Sequence, residues 1–368
     1  MEKAEQFVDR EMACDQVYAS LFDGRVYNRE EIDPSIIFSS LPDPKGAFFN
    51  AVRSRLQLLN YPASDPEQML ASVRQLYLER TGERCPKAVE NWMRGTAPGV
   101  TVRENNYRLC FVLGMDLQQT ADFFMRYFGT LAFNYKDSTD AIYYYCLHNR
   151  KDFTVIRDML DRAAHFSTSS VCSTGTLQIR DRIRSFRNDE EFLNYISGHC
   201  LNNEMQFQTA RRMILEIAKD VQYDLHVNTH SALHSEIMGF NYQRKKRAGT
   251  SRVADFPKQY TQSIPTDGVL ADILAGKRET YDTLRKTLLI FDLYDFYSFL
   301  LNTEQTEMKA EDVRSAWDDF YEQTNCMLQE CAFAPLYDNN AFDRAILFCA
   351  NSLNPIELFR DLNVQRYK

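Results

Sequence analysis

Residues 82–129 read GERCPKAVENWMRGTAPGVTVRENNYRLCFVLGMDLQQTADFFMRYFG, and this stretch contains three sets of helix start and stop signals. Pro86 suits the first turn of a helix, where its missing N–H would have no partner in any case. Two further starts match the capping box, in which paired side chains satisfy free backbone N–H groups. They are Thr101-x-x-Glu104 and Asp116-x-x-Gln119. Because Gly95, Gly114 and Gly129 suit the conformation that ends helices, the stretch predicts three short helices with defined ends.

The helix that begins at Pro86 has one apolar and one polar face. Val89, Trp92 and Met93 form the apolar face. The polar face consists of Lys87, Asn91 and Arg94. Asparagine and arginine can bind base edges through two hydrogen bonds, and lysine and arginine neutralise phosphates. This face therefore has two interpretations, a surface that reads nucleic acid or the solvated side of a purely structural helix.

The succession WMRG, then RENNYRLCFVLGMDLQQTADFFMRYFG, resembles the end of lambda-repressor-like (XRE-type) helix-turn-helix domains over about 45 residues. The resemblance implies that residues 86–94 form a recognition helix in a groove of DNA or RNA. The implied base and groove contacts are Lys87, Asn91 and Arg94. The implied phosphate contacts are Arg84 and Arg103.

One departure from that family concerns the helix expected before the recognition helix. Asp65 and Pro66 predict a helix over 66–80, and only Thr81–Cys85 separate it from the next one. Either this long helix doubles as the first half of the motif or the fold has been repurposed. The chain as a whole resembles large helical proteins of gut Firmicutes and their mobile elements, which join such a module to a long helical tail.

The rest of the chain is also helical in pattern. Glycine and proline are scarce, at 13 and 11 of 368 residues, and no alternating strand pattern of useful length occurs. We expect an all-α fold, a helix-turn-helix-like N-terminal module followed by a larger helical bundle or stacked helix pairs. The expected segments are an N-terminal helical part (1–60), the module (61–135), a helical hairpin (136–166) and a C-terminal α-helical domain (167–368). Polar residues 167–176, STSSVCSTGT, mark the main boundary, and no clean repeat period is visible.

Composition limits the class of protein. The net charge is −8, so phosphate binding would depend on local basic patches. The first residues have no apolar core of a secretion signal, and no run of 18 apolar residues indicates a membrane span. The nine cysteines are odd in number and form no CxxC pair, which favours reduced thiols. We therefore expect a cytoplasmic protein without a membrane partner.

A second basic stretch follows in the C-terminal half. It contains Arg244, Lys245, Lys246 and Arg247, with Arg252 and Lys258 close behind. Such a stretch can contact phosphates, an acidic partner or only solvent. If residues 86–94 bind nucleic acid, this loop is the natural second contact. A weaker patch contains Arg180, Arg182, Arg184 and Arg187.

Signals for metal, cofactor or catalytic chemistry are weak. His226, His230 and His234 would lie on one helix face, and the first two have zinc-ligand spacing, with Asp224 and Glu236 as possible oxygen ligands. A polar helix face next to a basic loop explains them better, so no metal site is expected. No GxSxG, P-loop or GxGxxG motif occurs, so no cofactor and no catalytic residue are expected.

Two functions remain open from the sequence. The first is a bacterial regulator or adaptor that binds DNA or RNA through the helix-turn-helix-like module and a protein partner, or a second copy, through the tail. The second is a protein-interaction scaffold in a larger effector or defence assembly, without nucleic-acid contact. The aromatic tail and the acidic balance favour the scaffold; the local excess of basic residues between 84 and 108 favours the regulator.

Overall fold

The computed structural model is an all-α protein, as the sequence predicts. It describes residues 14–22, 34–39, 41, 43–96, 98, 102–166, 176–199, 207–224, 237, 265, 267–277, 280–303, 310–352 and 354–365. Within these ranges the chain forms helices joined by turns and contains no β-strand. None of the described helices is long and apolar enough to cross a membrane.

The helices follow a helical segment at residues 14–22 and are numbered here in chain order. They are α1 Pro34–Ser39, α2 Pro44–Leu58, α3 Pro66–Thr81, α4 Lys87–Met93, α5 Arg103–Val112, α6 Leu117–Phe123 with a π-helical turn Phe124–Phe128, α7 Ser138–His148, α8 Phe153–Ala163, α9 Thr176–Ser185, α10 Asp189–His199, α11 Gln208–Asp224, α12 Asp267–Leu274, α13 Tyr281–Thr303, α14 Ala310–Glu330, α15 Ala341–Ala350 and α16 Pro355–Gln365.

The chain divides into two compact units. Unit I is Pro42–Gln206 and contains α2 to α10. Unit II combines Met1–Leu41 with Phe207–Lys368 and contains α1 and α11 to α16. Each unit has its own hydrophobic core.

Several predicted helix ends in unit I are confirmed. The Asp65 carboxylate accepts a hydrogen bond from the Gln68 amide at 2.9 Å and caps α3, which ends at Gly82 with a positive φ of 70°. Asp116 and Gln119 form the expected capping box at α6. Local side-chain chemistry is sufficient to set these ends.

Two helix starts differ from the expectation. Pro86 is the N-cap of α4, one residue before the predicted place in the helix. The helix α5 begins at Arg103 after Val102, and Glu104 does not cap it. The Glu104 carboxylate instead pairs with Arg108 one turn further on, and Thr101 lies outside the described residues.

Unit I extends beyond the boundary expected at residues 167–176. The helices α9 and α10 pack against α7, through a hydrogen bond from Arg184 to the Tyr144 hydroxyl and a stack of the Tyr145 and Phe192 rings at 4.0 Å. The predicted segments 61–135 and 136–166 thus share one core with the helices on either side. A polar loop marks a break in the secondary structure and does not determine which helices pack together.

A half-buried arginine holds the turn before α7 in unit I. Arg103 donates to both carboxylate oxygens of Asp140, at 2.8 and 2.8 Å, and to the carbonyls of Leu131 and Ala132. Asp140 also accepts from the Asn134 amide at 2.8 Å. We call this arrangement the Arg103–Asp140 clamp. It provides hydrogen-bond partners for the backbone carbonyls and the amide of a turn that lacks the regular hydrogen bonds of a helix.

Unit II contains a similar arrangement before α15. Arg285 donates to the Asp343 carboxylate at 2.6 and 2.9 Å and to the carbonyls of Ala334 and Pro335, both at 3.1 Å. Asp343 accepts from the Tyr337 amide at 3.0 Å. This Arg285–Asp343 clamp is more deeply buried, with side chains only 7% and 2% exposed.

Candidate nucleic-acid interface

The apolar face of α4 anchors that helix in unit I. Val89 and Met93 are fully buried and Trp92 is 6% exposed. The Trp92 ring meets Phe48 edge to face at 6.3 Å between centroids and Phe128 at 5.9 Å. The helices α3, α4 and α5 pack on one another. This packing fixes the opposite face of α4 toward solvent.

The predicted contact residues of α4 lie on that solvent face. Lys87, Asn91 and Arg94 are all exposed, and so is Arg84 in the preceding turn. The helix ends in a tight turn at Gly95, with φ of 92°. The structure therefore brings these four predicted residues to one short helix and its entry.

A carboxylate organises this surface. Glu90 pairs with Arg74 of α3 at 2.7 Å, with Lys87 at 3.1 Å and with Arg94 at 3.5 Å. Hydrogen bonds from Arg74 and then Lys87 lower the pKa of Glu90 to about 2. Glu90 is only 13% exposed, whereas its three partners are 41–74% exposed. We call these three basic residues around Glu90 the cation cluster.

Sequence reasoning missed two members of this arrangement. Glu90 lies three residues after Lys87 and four before Arg94, a spacing that indicates pairs on one helix face. Arg74 lies on α3, and only the packing of α3 against α4 places it beside Glu90. The first residue could have been found from spacing, and the second required the tertiary structure.

Arg103 has a different place from the one implied by the family resemblance. Its guanidinium forms the clamp described above and also lies over the Tyr107 and Phe124 rings, at 5.5 and 5.2 Å. Its side chain is 30% exposed. Because its donors are already bonded inside unit I, we do not include Arg103 among the proposed phosphate contacts.

The other sequence candidates are mostly outside the described residues or bonded internally. Residues 244–247, Arg252 and Lys258 lie outside them, as do His226, His230, His234 and Glu236. Among the residues that are described, no group of three metal-ligating side chains occurs. In the 180–187 patch, Arg184 bonds Tyr144, Arg187 bonds Asn149 at 3.2 Å and Arg180 pairs with Asp181.

A small cleft in unit II contains a carboxyl group with a perturbed pKa. The cleft lies between α13 and α14 and has a volume of about 160 Å³. Burial raises the pKa of Asp292 to about 7, although Thr324 donates a hydrogen bond to it at 2.5 Å. Asp295 and Asp319 also line the cleft. No histidine, lysine, arginine or cysteine side chain is among the residues that line this cleft.

The surroundings of Cys14 and Cys85 disfavour the thiolate form. Burial raises the pKa values of Cys14 and Cys85 to about 12. At neutral pH these groups stay protonated, and a protonated thiol is a poor nucleophile.

Comparison with protein-family models, curated proteins and solved structures found no match for this chain. Its function is therefore inferred from the chemistry of its own surfaces.

Proposed function

We propose that the protein is a regulator or adaptor that binds DNA or RNA through the exposed face of α4. The observation that supports this most is the position of Lys87, Asn91 and Arg94, which a buried apolar face holds toward solvent next to Arg74. In this proposal, unit II binds a protein partner or a second copy of the chain.

The chemistry of the α4 face fits a nucleic acid better than a generic acidic partner. Asn91 and Arg94 can each form paired hydrogen bonds to a base edge, and Lys87 and Arg84 can neutralise phosphates. Arg74 adds a third cation beside Glu90, so the cation cluster keeps two uncompensated positive charges in a chain of net charge −8. Such a local excess attracts polyanions and makes their binding depend on salt.

The Lys87→Ala/Asn91→Ala/Arg94→Ala variant is expected to bind nucleic acid at least 10-fold more weakly than the wild type. Arg94→Ala alone should cost about 1–3 kcal/mol and relax sequence preference. Fluorescence anisotropy with a labelled 20-base-pair duplex and a single-stranded RNA of equal length, at several salt concentrations, measures this. The slope of log affinity against log salt should become shallower by about 1, because Lys87, the phosphate contact in this set, is lost.

A matched control removes two exposed cations elsewhere in unit I. Arg157 and Arg162 lie on α8 and are 52% and 40% exposed. Their double alanine variant should keep wild-type binding within about 2-fold. Equal weakening in both variants would indicate a nonspecific charge effect, and unchanged binding in the α4 variant would exclude α4 as the interface.

Replacing Glu90 by glutamine is expected to strengthen nucleic-acid binding about 3-fold at low salt. The substitution removes the only carboxylate bonded to the cation cluster among the described residues, so one more positive charge faces the phosphates. The salt slope should become steeper by about 1. Glu190→Gln is the control, because Glu190 is also paired with an arginine, Arg162, at 2.6 Å. Weaker binding by the Glu90→Gln variant would contradict the proposed role of these cations.

The scaffold function remains the alternative. Tyr223 and Phe299 of unit II are 80% and 60% exposed, and large exposed aromatic side chains are typical of protein-binding surfaces. The absorbance ratio at 260 and 280 nm of the purified protein separates the two functions. Bound nucleic acid supports the regulator, and a stoichiometric protein partner with no nucleic acid supports the scaffold.

A further inference from the structure

The two clamps have the same internal spacing. Each arginine binds two successive carbonyls, and in each case these lie nine and eight residues before the aspartate. Each aspartate binds the amide six residues before it, at Asn134 or Tyr337. A shift of 203 positions along the chain superimposes one turn on the other.

The backbone around the clamps follows the same shift. Gly129 and Ala332 precede the two turns with φ of 65° and 58°. The Asp137 amide donates to the Asn134 carbonyl at 2.8 Å, and the matching Asn340 amide donates to the Tyr337 carbonyl at 2.9 Å. A left-handed alanine is uncommon, so its occurrence at the position of a helix-ending glycine supports a common geometry.

The helical hairpins that follow also match without a gap. Four side chains are identical at the 203-residue shift. They are Asp140 and Asp343, Cys146 and Cys349, Arg157 and Arg360, and Asp158 and Asp361. The buried positions match as well, for example Tyr145 with Phe348 and Ile156 with Phe359. The pair α15–α16 therefore repeats α7–α8.

The match continues to the proposed interface helix. At a shift of 181 positions, Gly95 of the turn after α4 meets Gly276 of the turn after α12. The Thr96 amide donates to the Asn91 carbonyl at 3.0 Å, and the Lys277 amide donates to the Asp272 carbonyl at 2.9 Å. Both are the 6→1 hydrogen bonds of a Schellman turn. Both helices bury the residues six and three positions before the glycine. These are Val89 and Trp92 in α4, and Leu270 and Ile273 in α12.

We infer that α3–α8 and α11–α16 are two copies of one helical module, and that only the first copy has an anion-binding face. The packing order agrees, because α3 contacts α4 and α5, and α11 contacts α12 and α13. The part about anion binding rests on the proposed function. The part about duplication does not.

The second copy has lost the polar face. Gly268, Ala271, Asp272 and Ala275 stand where α4 has Lys87, Glu90, Asn91 and Arg94. Asp272 is paired with Lys277 at 2.5 Å. The same helix and turn thus form without the cations, so the fold does not require them. Their presence on α4 is explained by a ligand rather than by stability.

A graft tests the functional part in the full-length protein. The background is the α4 triple alanine variant. The substitutions Gly268→Lys, Asp272→Asn and Ala275→Arg then place the three polar side chains of α4 at the matching positions of α12. We expect the graft to bind the 20-base-pair duplex or the RNA at least 3-fold more tightly than the α4 triple alanine variant does. A folded graft, verified by circular dichroism, that restores no binding would overturn the equivalence of the two helices.

The turns test the duplication independently of nucleic acid. Gly129→Ala places a side chain in a left-handed turn and should lower Tm by about 2–4 °C, whereas Ala332→Gly should raise it by a similar amount. If the wild type binds neither nucleic acid, the proposed function fails, and these two variants still test the shared left-handed turn on which the duplication rests. A lower Tm for Ala332→Gly would contradict it.

Discussion

Replacing Asp343 by asparagine is expected to destabilise unit II by about 3–5 kcal/mol, the usual cost of removing one partner from a buried ion pair. The Arg285 guanidinium is 7% exposed and would lose its counterion. The loop before α15 would be affected as well, because the same carboxylate accepts the Tyr337 amide. Urea unfolding measures the loss.

The two tryptophans let each unit be followed separately. Trp92 belongs to the core of unit I, and Trp317 is fully buried in unit II. In a Trp92→Phe background, the fluorescence of Trp317 reports the unfolding of unit II. Asp272→Asn is the control. Asp272 and its partner Lys277 are 41% and 67% exposed, so this ion pair should contribute less than about 1 kcal/mol to the free energy of unfolding. An equally small effect of Asp343→Asn would show that the clamp is not essential.

Signals that act within a few residues could be read from the sequence. The cap at Asp65, the capping box at Asp116 and the glycine turns depend on backbone groups one turn away, so their spacing is sufficient. The two faces of α4 follow from helical periodicity in the same way.

The role of Arg103 could not be read in that way. Its partners are a carboxylate 37 residues away and the carbonyls of an irregular turn, and nothing in the spacing indicates that they meet. A basic residue near a predicted recognition helix is then naturally assigned to phosphates. The side chain is used inside the fold, and Arg74, from the preceding helix, occupies the surface instead.

The duplication escaped the sequence for a related reason. Apolar core positions exchange readily as long as volume and pattern are kept, so Tyr145 and Phe348 or Ile156 and Phe359 serve equally well. What persists is the geometry of turns, and the two aspartates of the clamps are its clearest trace. The helices α13 and α14 are also longer than α5 and α6. The number of residues between the arginine and the aspartate therefore differs between the two clamps, and no single period relates the two copies.

The second large effect concerns pH and the cleft of unit II. Burial raises the pKa of Asp292 from 3.8 to about 7. In the unfolded chain this group ionises near pH 4, whereas in the folded protein it keeps its proton until about pH 7. The folded state therefore binds more protons in this window, and stability falls as pH rises from about 4 to 7. Below pH 4 the contribution is fully present, and above about pH 7 the loss is complete.

Asp292→Asn is expected to remove this dependence, because an amide does not ionise and can still accept the hydrogen bond from Thr324. At pH 8 the variant should be more stable than the wild type by on the order of 2–4 kcal/mol, since each pKa unit corresponds to about 1.4 kcal/mol. At pH 4 the two proteins should differ little. Urea unfolding of unit II from pH 4 to pH 8, followed through Trp317, measures both curves. Parallel curves would mean that Asp292 is already ionised in the folded protein, and that water or neighbouring groups stabilise its charge in the cleft.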